Sequence, residues 1–265
     1  MTMITSDGMS NEQYHARPAL GSSSIKTVAT KSLAHWKGQV RKESPAFALG
    51  SAVHAELLEP EKQLLVRGPD TRRGKAWTEG KAEAEEQGKI FLTEADFDLA
   101  KEMSNACLKN YMASHLLTNP KMIAEASFFA TCPETGLELK TRPDGLILDS
   151  GIVLDVKTTQ DVSPHGFDRT IRNFGYDLQA AHYFYVLSLC GVRVENFIFI
   201  CIEKDKPHVT ACYELSEMYL KHAHNRLMDT LRLIQKAEED DHYGTQWPDL
   251  GTVHLPAWMD SSEAF

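Results

Sequence analysis

Residues 141–157 gather the side chains best suited to chemistry: Asp144, then Asp155, then Lys157 two positions on. Two runs rich in branched apolar residues, 145–148 and 152–156, flank Asp149, Ser150 and Gly151, a composition that suits a tight hairpin turn. Residues two apart on a strand point to one face, so Asp155 and Lys157 are expected side by side. The hairpin brings Asp144, at the entry to the first run, to the same end of the sheet. Two carboxylates and an ammonium are costly to gather there without a task. An octahedral Mg²⁺ would accept the carboxylates and keep open positions for phosphate and water. Lys157 would then face the reacting group as a point charge, and with a lowered pKa it could also help take a proton. The competing reading is a salt-bridged surface hairpin. Acid-x-Lys tripeptides also begin at Glu79 and Glu138. The first falls in a charged helix, and the second follows a turn too short to separate two strands.

The surrounding pattern defines the elements that position these groups. Ser22, Ser23 and Ser24 offer helix caps for residues 25–35, after a polar, turn-like stretch at 11–20. Residues 47–58 form a compact apolar helix stopped by Pro60, on which Gly50 and Ser51 would admit a neighbouring backbone. His54 lies one turn beyond Gly50 on the same face. By itself it reads as a satisfied core histidine or as a metal ligand. A short strand is expected at 64–67, a charged helix at 76–87 and a further helix at 94–112 that opens on Thr93. From residue 124 the period changes: strands at 125–131 and 137–142, the hairpin, a loop at 163–174, a helix at 177–189, strands at 195–202 and 208–214, and a long amphipathic helix at 216–239. Gln179 and Tyr183 fall one turn apart on one helix face. A helical N-terminal portion followed by strands, helix, strands and helix reads as α/β or α+β around one central mixed sheet flanked by helices.

Composition bounds the function. At 265 residues the chain can bury a full core, and its five cysteines are odd in number and scattered, with no Cys-x-x-Cys pair to hold zinc or an iron–sulfur cluster. Reduced thiols in a cytoplasmic protein are the plain expectation, and no apolar run approaches a membrane span. The net charge of −9 argues against an unspecific polyanion binder, although a local basic channel can coexist with an acidic exterior. Arg72, Arg73 and Lys75 in a loop beside Trp77, with Arg169 and Arg172 in a later one, are either nucleic-acid contacts or ordinary solubilising charges. Residues 1–8 resemble the leader left by a β-galactosidase fusion vector, so 9–265 is taken as a single domain.

The motifs together resemble the PD-(D/E)xK nucleases. Pro143-Asp144 with Asp155-Val156-Lys157 is similar to their signature. Gln179-Ala180-Ala181-His182-Tyr183 resembles the Gln-x-x-x-Tyr motif of the RecB-like branch, and Gly50 through His54 its upstream Gly-x-x-x-His element. Tyr14-His15, Pro18-Ala19-Leu20, Ser22-Ser23-Ser24 and Lys26 further resemble the RecE-type exonucleases of prophage recombination. The resemblance implies metal ligation by Asp144, Asp155, His54 and the Val156 carbonyl. Lys157 would position the attacking water, and Gln179 and Tyr183 would support the site and contact phosphate. Glu125 would be an additional acid, or an ordinary strand-edge glutamate. It also implies a Mg²⁺-dependent exonuclease (with Mn²⁺ as a substitute) on double-stranded DNA ends, degrading the 5′-ended strand to leave 3′ overhangs. A RecT-type annealing partner and a toroidal homotetramer come with that resemblance. A structure-specific endonuclease and a non-catalytic DNA-binding module are the alternatives.

Overall fold

The computed structural model describes residues 8–39 and 45–254; the expected leader lies outside the described residues except for Gly8. The N-terminal stretch read as turn-like contains a short helix, α1 (Asn11–Ala16). Ser10 and Gln13 close a reciprocal capping box that turns those polar residues into a helix start. The helix expected over 25–35 is two, α2 (Ser22–Thr30) and α3 (Leu33–Lys37), because Ser32 caps the second by accepting the His35 N–H. α4 (Pro45–Leu58) follows, then β1 (Leu65–Arg67), α5 (Lys75–Glu86), β2 (Ile90–Leu92) and α6 (Glu94–Lys109). α6 stops short of its expected end because Asn110 closes it and caps α7 (Tyr111–Leu117), its Oδ1 taking the Ala113 N–H at 3.0 Å.

Seven more strands and three more helices complete the described chain: β3 (Met122–Ala124), β4 (Phe128–Thr131), β5 (Glu138–Thr141), β6 (Gly145–Ile147), β7 (Ile152–Thr159), α8 (Pro164–Phe174), α9 (Tyr176–Leu189), β8 (Asn196–Glu203), β9 (Thr210–Glu214) and α10 (Glu217–Glu239). The central sheet has the order β3-β6-β7-β8-β9. It is mixed: β7 and β8 run parallel over eight residue pairs, and the other neighbours are antiparallel. The parallel pair needs a crossover, which α8 and α9 supply. β1–β2 and β4–β5 form two small satellite sheets.

Two findings correct the expected elements. The stretch expected as a loop over 163–174 is a helix, α8, capped by Ser163. Ser163 Oγ accepts the Gly166 N–H at 3.1 Å, Pro164 occupies the first turn, and Phe167 and Ile171, four apart, are both buried. The strand expected over 125–131 is broken, because Glu125 takes a left-handed φ of 52° and separates β3 from β4, which belong to different sheets.

Alternation along β7 and β8 sorts the core onto two faces. Val153, Phe197, Phe199 and Cys201 pack with α2, α9 and α10, while Val156, Ile200 and Ile202 pack with α4 and α6. The N-terminal segment is tied down by Lys140, whose buried ammonium donates to the carbonyls of Tyr14, His15 and Arg17 at 2.8, 3.2 and 2.7 Å. Backbone bonds from Leu20 to Glu138 and from Lys140 to Leu20 then seat α2 beside α9. Among the described residues no helix is long and apolar enough to cross a membrane. All five cysteines are free.

Candidate active site

The register of the β6–β7 hairpin, with Gly145 opposite Leu154, leaves Asp144 at its open end beside Asp155 and Val156. Asp144 Oδ2 accepts the Val156 N–H at 2.7 Å. The left-handed turn at Glu125 ends β3 at this edge, and the Glu125 N–H donates to the Asp144 carbonyl. From the opposite sheet face, α4 carries His54, whose Nε2 meets the Val156 carbonyl at 2.8 Å while Nδ1 stands 3.5 Å from Asp144 Oδ2. His54, Glu125 and Asp144 each offer a ligand atom, all within 4.8 Å of one another, the only such group among the described residues. Glu125 is therefore a member of the cluster and not a bystander on a strand edge. Gly50 is not needed for close approach, since an added Cβ would meet Thr158 Oγ1 at an ordinary 3.8 Å.

Asp155 sits behind this cluster, fully buried. Its Oδ1 accepts from Gln179 Nε2 at 2.5 Å, and its Oδ2 lies 2.5 Å from Lys157 Nζ without a donor in hydrogen-bond geometry. The two-residue spacing thus places Asp155 and Lys157 on one face as expected. Tyr183 Oη donates to the Arg142 carbonyl at 3.2 Å and lies 3.4 Å from Gln179 Nε2. Arg142, which sequence reasoning passed over, is buried with its Nε on Ser127 Oγ at 2.7 Å. The Val156 carbonyl is adjacent to the cluster, engaged by His54.

Electrostatics follow from burial and the crowded carboxylates. Burial, with Asp144 beside it, pushes the Glu125 carboxyl up to about 8. Burial likewise raises Asp155, with Asp144 adding to the rise and Lys157 opposing it. For Lys157, burial alone would lower the pKa, but the Asp155 and Asp144 carboxylates outweigh it and hold the ammonium above its ordinary value. The same two carboxylates thus favour the charged form of Lys157. Two carboxylates, an imidazole nitrogen and a neighbouring carbonyl form an oxygen-rich donor set that fits a hard divalent cation.

The expected DNA-facing basic residues are not gathered in this cluster. Arg72 pairs with Asp96 at 2.7 Å and lies over Trp77, and Lys75 pairs with Glu79 at 3.5 Å. Arg169 and Arg172 project from α8 toward Asp161 and Asp168 at 3.9 and 2.7 Å. Arg73 is exposed. A cleft of about 780 Å³ instead adjoins the site, with Arg17, Ser22, Glu125, Lys140, Arg142 and Tyr183 in its lining.

A mixed sheet with Asp144 at the hairpin mouth, Asp155 and Lys157 on the next strand and Gln179 on the crossover helix is the PD-(D/E)xK fold. The chain belongs to the family described as a PDDEXK-like domain of unknown function, DUF3799, which matches residues 22–249. In fold it is similar to a presumed exonuclease from Eubacterium rectale, at a TM-score of 0.64 and 16% identity over 97% of this chain and 99% of that one. A phage-related exonuclease from Haemophilus somnus is more distant, at a TM-score of 0.38 and 10% identity over 84% of this chain and 96% of that one. No curated protein matches the chain in sequence.

Proposed function

We propose that this chain is a metal-dependent exonuclease acting on double-stranded DNA ends. The observation that carries the reading is the convergence of His54, Glu125 and Asp144 within 4.8 Å, backed by the Asp155–Lys157 pair at 2.5 Å. His54, Glu125 and Asp144 would hold Mg²⁺ or Mn²⁺, with Asp155 behind them; a bound divalent ion supplies Lewis acidity that makes water a nucleophile and offsets charge on the phosphate. Water attacks phosphorus in line, a new P–O bond forms, the bond to the leaving sugar oxygen breaks, and the water's protons pass to that oxygen and to solvent. The Lys157 ammonium lies beside the growing negative charge and stabilises it. Gln179 and Tyr183 keep Asp155 and the Arg142 backbone in register with the hairpin. No covalent enzyme intermediate is required.

The finer reading is of RecE type. It has degradation of the 5′-ended strand, a 3′ overhang passed to a RecT-type annealing partner, and a toroidal tetramer through which duplex is threaded, in the cytoplasm. The N-terminal motif around Tyr14, Ser22 and Lys26, seated against α9 and the cleft, supports it. In such a ring Arg72, Arg73, Lys75, Arg169 and Arg172 would line the DNA path, exchanging surface ion pairs of small worth for phosphates.

The test is digestion of linear and covalently closed circular duplex, with Mg²⁺ or EDTA, by this chain and by Asp155→Ala. Mg²⁺-dependent loss of the linear form alone, abolished by the substitution, supports the exonuclease. Cutting of the circle replaces it with an endonuclease, and binding without digestion leaves a non-catalytic DNA-binding module.

A further inference from the structure

Lys26 is 153 residues from Gln179 in sequence and 3.1 Å from it in space, its Nζ donating to Gln179 Oε1. The fold builds this contact deliberately. α2 packs on α9, and the Lys26 stem lies over Gly175, the left-handed residue (φ 63°) that joins α8 to α9. A Cβ at Gly175 would stand 3.2 Å from Lys26 Cγ, so any larger residue would press on the stem. The Lys26 and Lys157 ammoniums lie 5.3 and 4.7 Å from the centroid of the same Tyr176 ring, so one aromatic ring attracts both cations.

Gln179 is the hinge of this arrangement. An ammonium only donates and a carboxylate only accepts, so a carboxamide between them has one workable orientation. Its oxygen must face Lys26 and its NH₂ must face Asp155 Oδ1, 2.5 Å away. Turned over, the amide would set its oxygen against the Asp155 carboxylate. The same NH₂ lies 3.4 Å from Tyr183 Oη, which holds the Arg142 carbonyl, so the amide's orientation reaches both sides of the site.

We propose that Lys26 is a positioning residue of the active site, which fixes the Gln179 carboxamide so that Asp155 is held toward Lys157 and the hairpin mouth. This rests on the reading of the chain as a metal-dependent nuclease. Burial and the nearby Lys157 charge hold the Lys26 pKa down to about 8, which leaves the ammonium charged at neutral pH.

The experiment uses Lys26→Met, which keeps an apolar stem over Gly175 and removes the donor, with Gln179→Ala and the double variant, on linear duplex with Mg²⁺. Lys26→Met is expected to lower kcat by about tenfold, the scale of one hydrogen bond from a charged donor, while KM for DNA stays within about twofold. Because Lys26 acts through the amide, adding Lys26→Met to Gln179→Ala should cost less than about twofold more. Full activity in Lys26→Met, multiplying losses in the double variant, or a loss that merely tracks a lower unfolding midpoint would each overturn the proposal. A second readout needs no catalysis: the ¹⁵N side-chain amide of Gln179 should exchange slowly with solvent in the parent chain and markedly faster in Lys26→Met. Equal exchange in the two overturns the proposal even where the parent chain digests no DNA. If the parent chain is active and Asp144→Ala is dead while Lys26→Met is unaffected, the nuclease reading stands and this inference falls.

Discussion

The Glu125 N–H donates to the Asp144 carbonyl at 3.2 Å, so the two acids of the cluster leave from cross-linked points on neighbouring strand ends. Their backbones cannot move apart to relieve the repulsion between their side chains. Burial raises the Glu125 carboxyl, and the Asp144 charge beside it adds to that rise. A cation held by both would offset a cost already built into the fold.

Asp144→Asn should separate function from stability. Its side-chain oxygen can still accept the Val156 N–H, but the charge beside Glu125 and His54 is gone. Activity on linear duplex should fall by about 10³-fold, as for loss of a charged group at the reacting centre. The unfolding midpoint in EDTA should hold or rise, because the Asp144 charge that pushes up the Glu125 and Asp155 carboxyls has been removed. A lower midpoint with residual activity would contradict this placement of Asp144.

His182 gives the fold an acid limit. Buried on α9, it contacts the Lys140 carbonyl through Nε2 at 2.9 Å, and burial, with Lys26 nearby and against that hydrogen bond, lowers its pKa from 6.5 to about 4. A depressed folded pKa contributes stability that is fully present above 6.5 and is lost as pH falls through 4. The contribution is about 3 kcal/mol at most. His182→Gln, which retains a donor but does not titrate, should lose less stability than the parent between pH 7 and pH 4 in urea unfolding. Parallel losses in both proteins would show that other groups set the acid limit.

Gly50→Ala should stabilise α4. The added methyl meets only Thr158 Oγ1 at 3.8 Å, and a helix-interior glycine costs roughly 0.5–1 kcal/mol relative to alanine. The midpoint of thermal unfolding should rise by a few degrees. A fall would mean that α4 must approach β7 more closely than the free chain does.

The sequence exposed those parts of the site that depend on regular periodicity. Asp155 beside Lys157 follows from period two on β7, and Gln179 beside Tyr183 from one turn of α9. The hairpin residues Asp149, Ser150 and Gly151 foretold how Asp144 returns to the sheet. What stayed hidden depends on single backbone angles or distant pairings. Nothing in the composition around Glu125 announces its left-handed φ, so the residue read as part of a strand. α8 was legible in principle from Ser163-Pro164 and the Phe167/Ile171 spacing, but its short length and polar exterior resemble a loop. Lys26 meets Gln179 only because Lys140 and Leu20 anchor the N-terminal segment, a long-range effect with no local signal.

Val156 occupies the middle of the site and contributes none of its side chain to it. Its amide holds Asp144, its carbonyl meets His54, and its isopropyl group is buried in the core beneath. Two selective pressures therefore act on one position without interfering: packing judges the side chain, and chemistry judges only the path of the main chain. Drift among Ile, Leu and Val there can retune the core while leaving the reacting groups where they are, which makes the unnamed position of Asp-x-Lys a place where stability can evolve independently of activity.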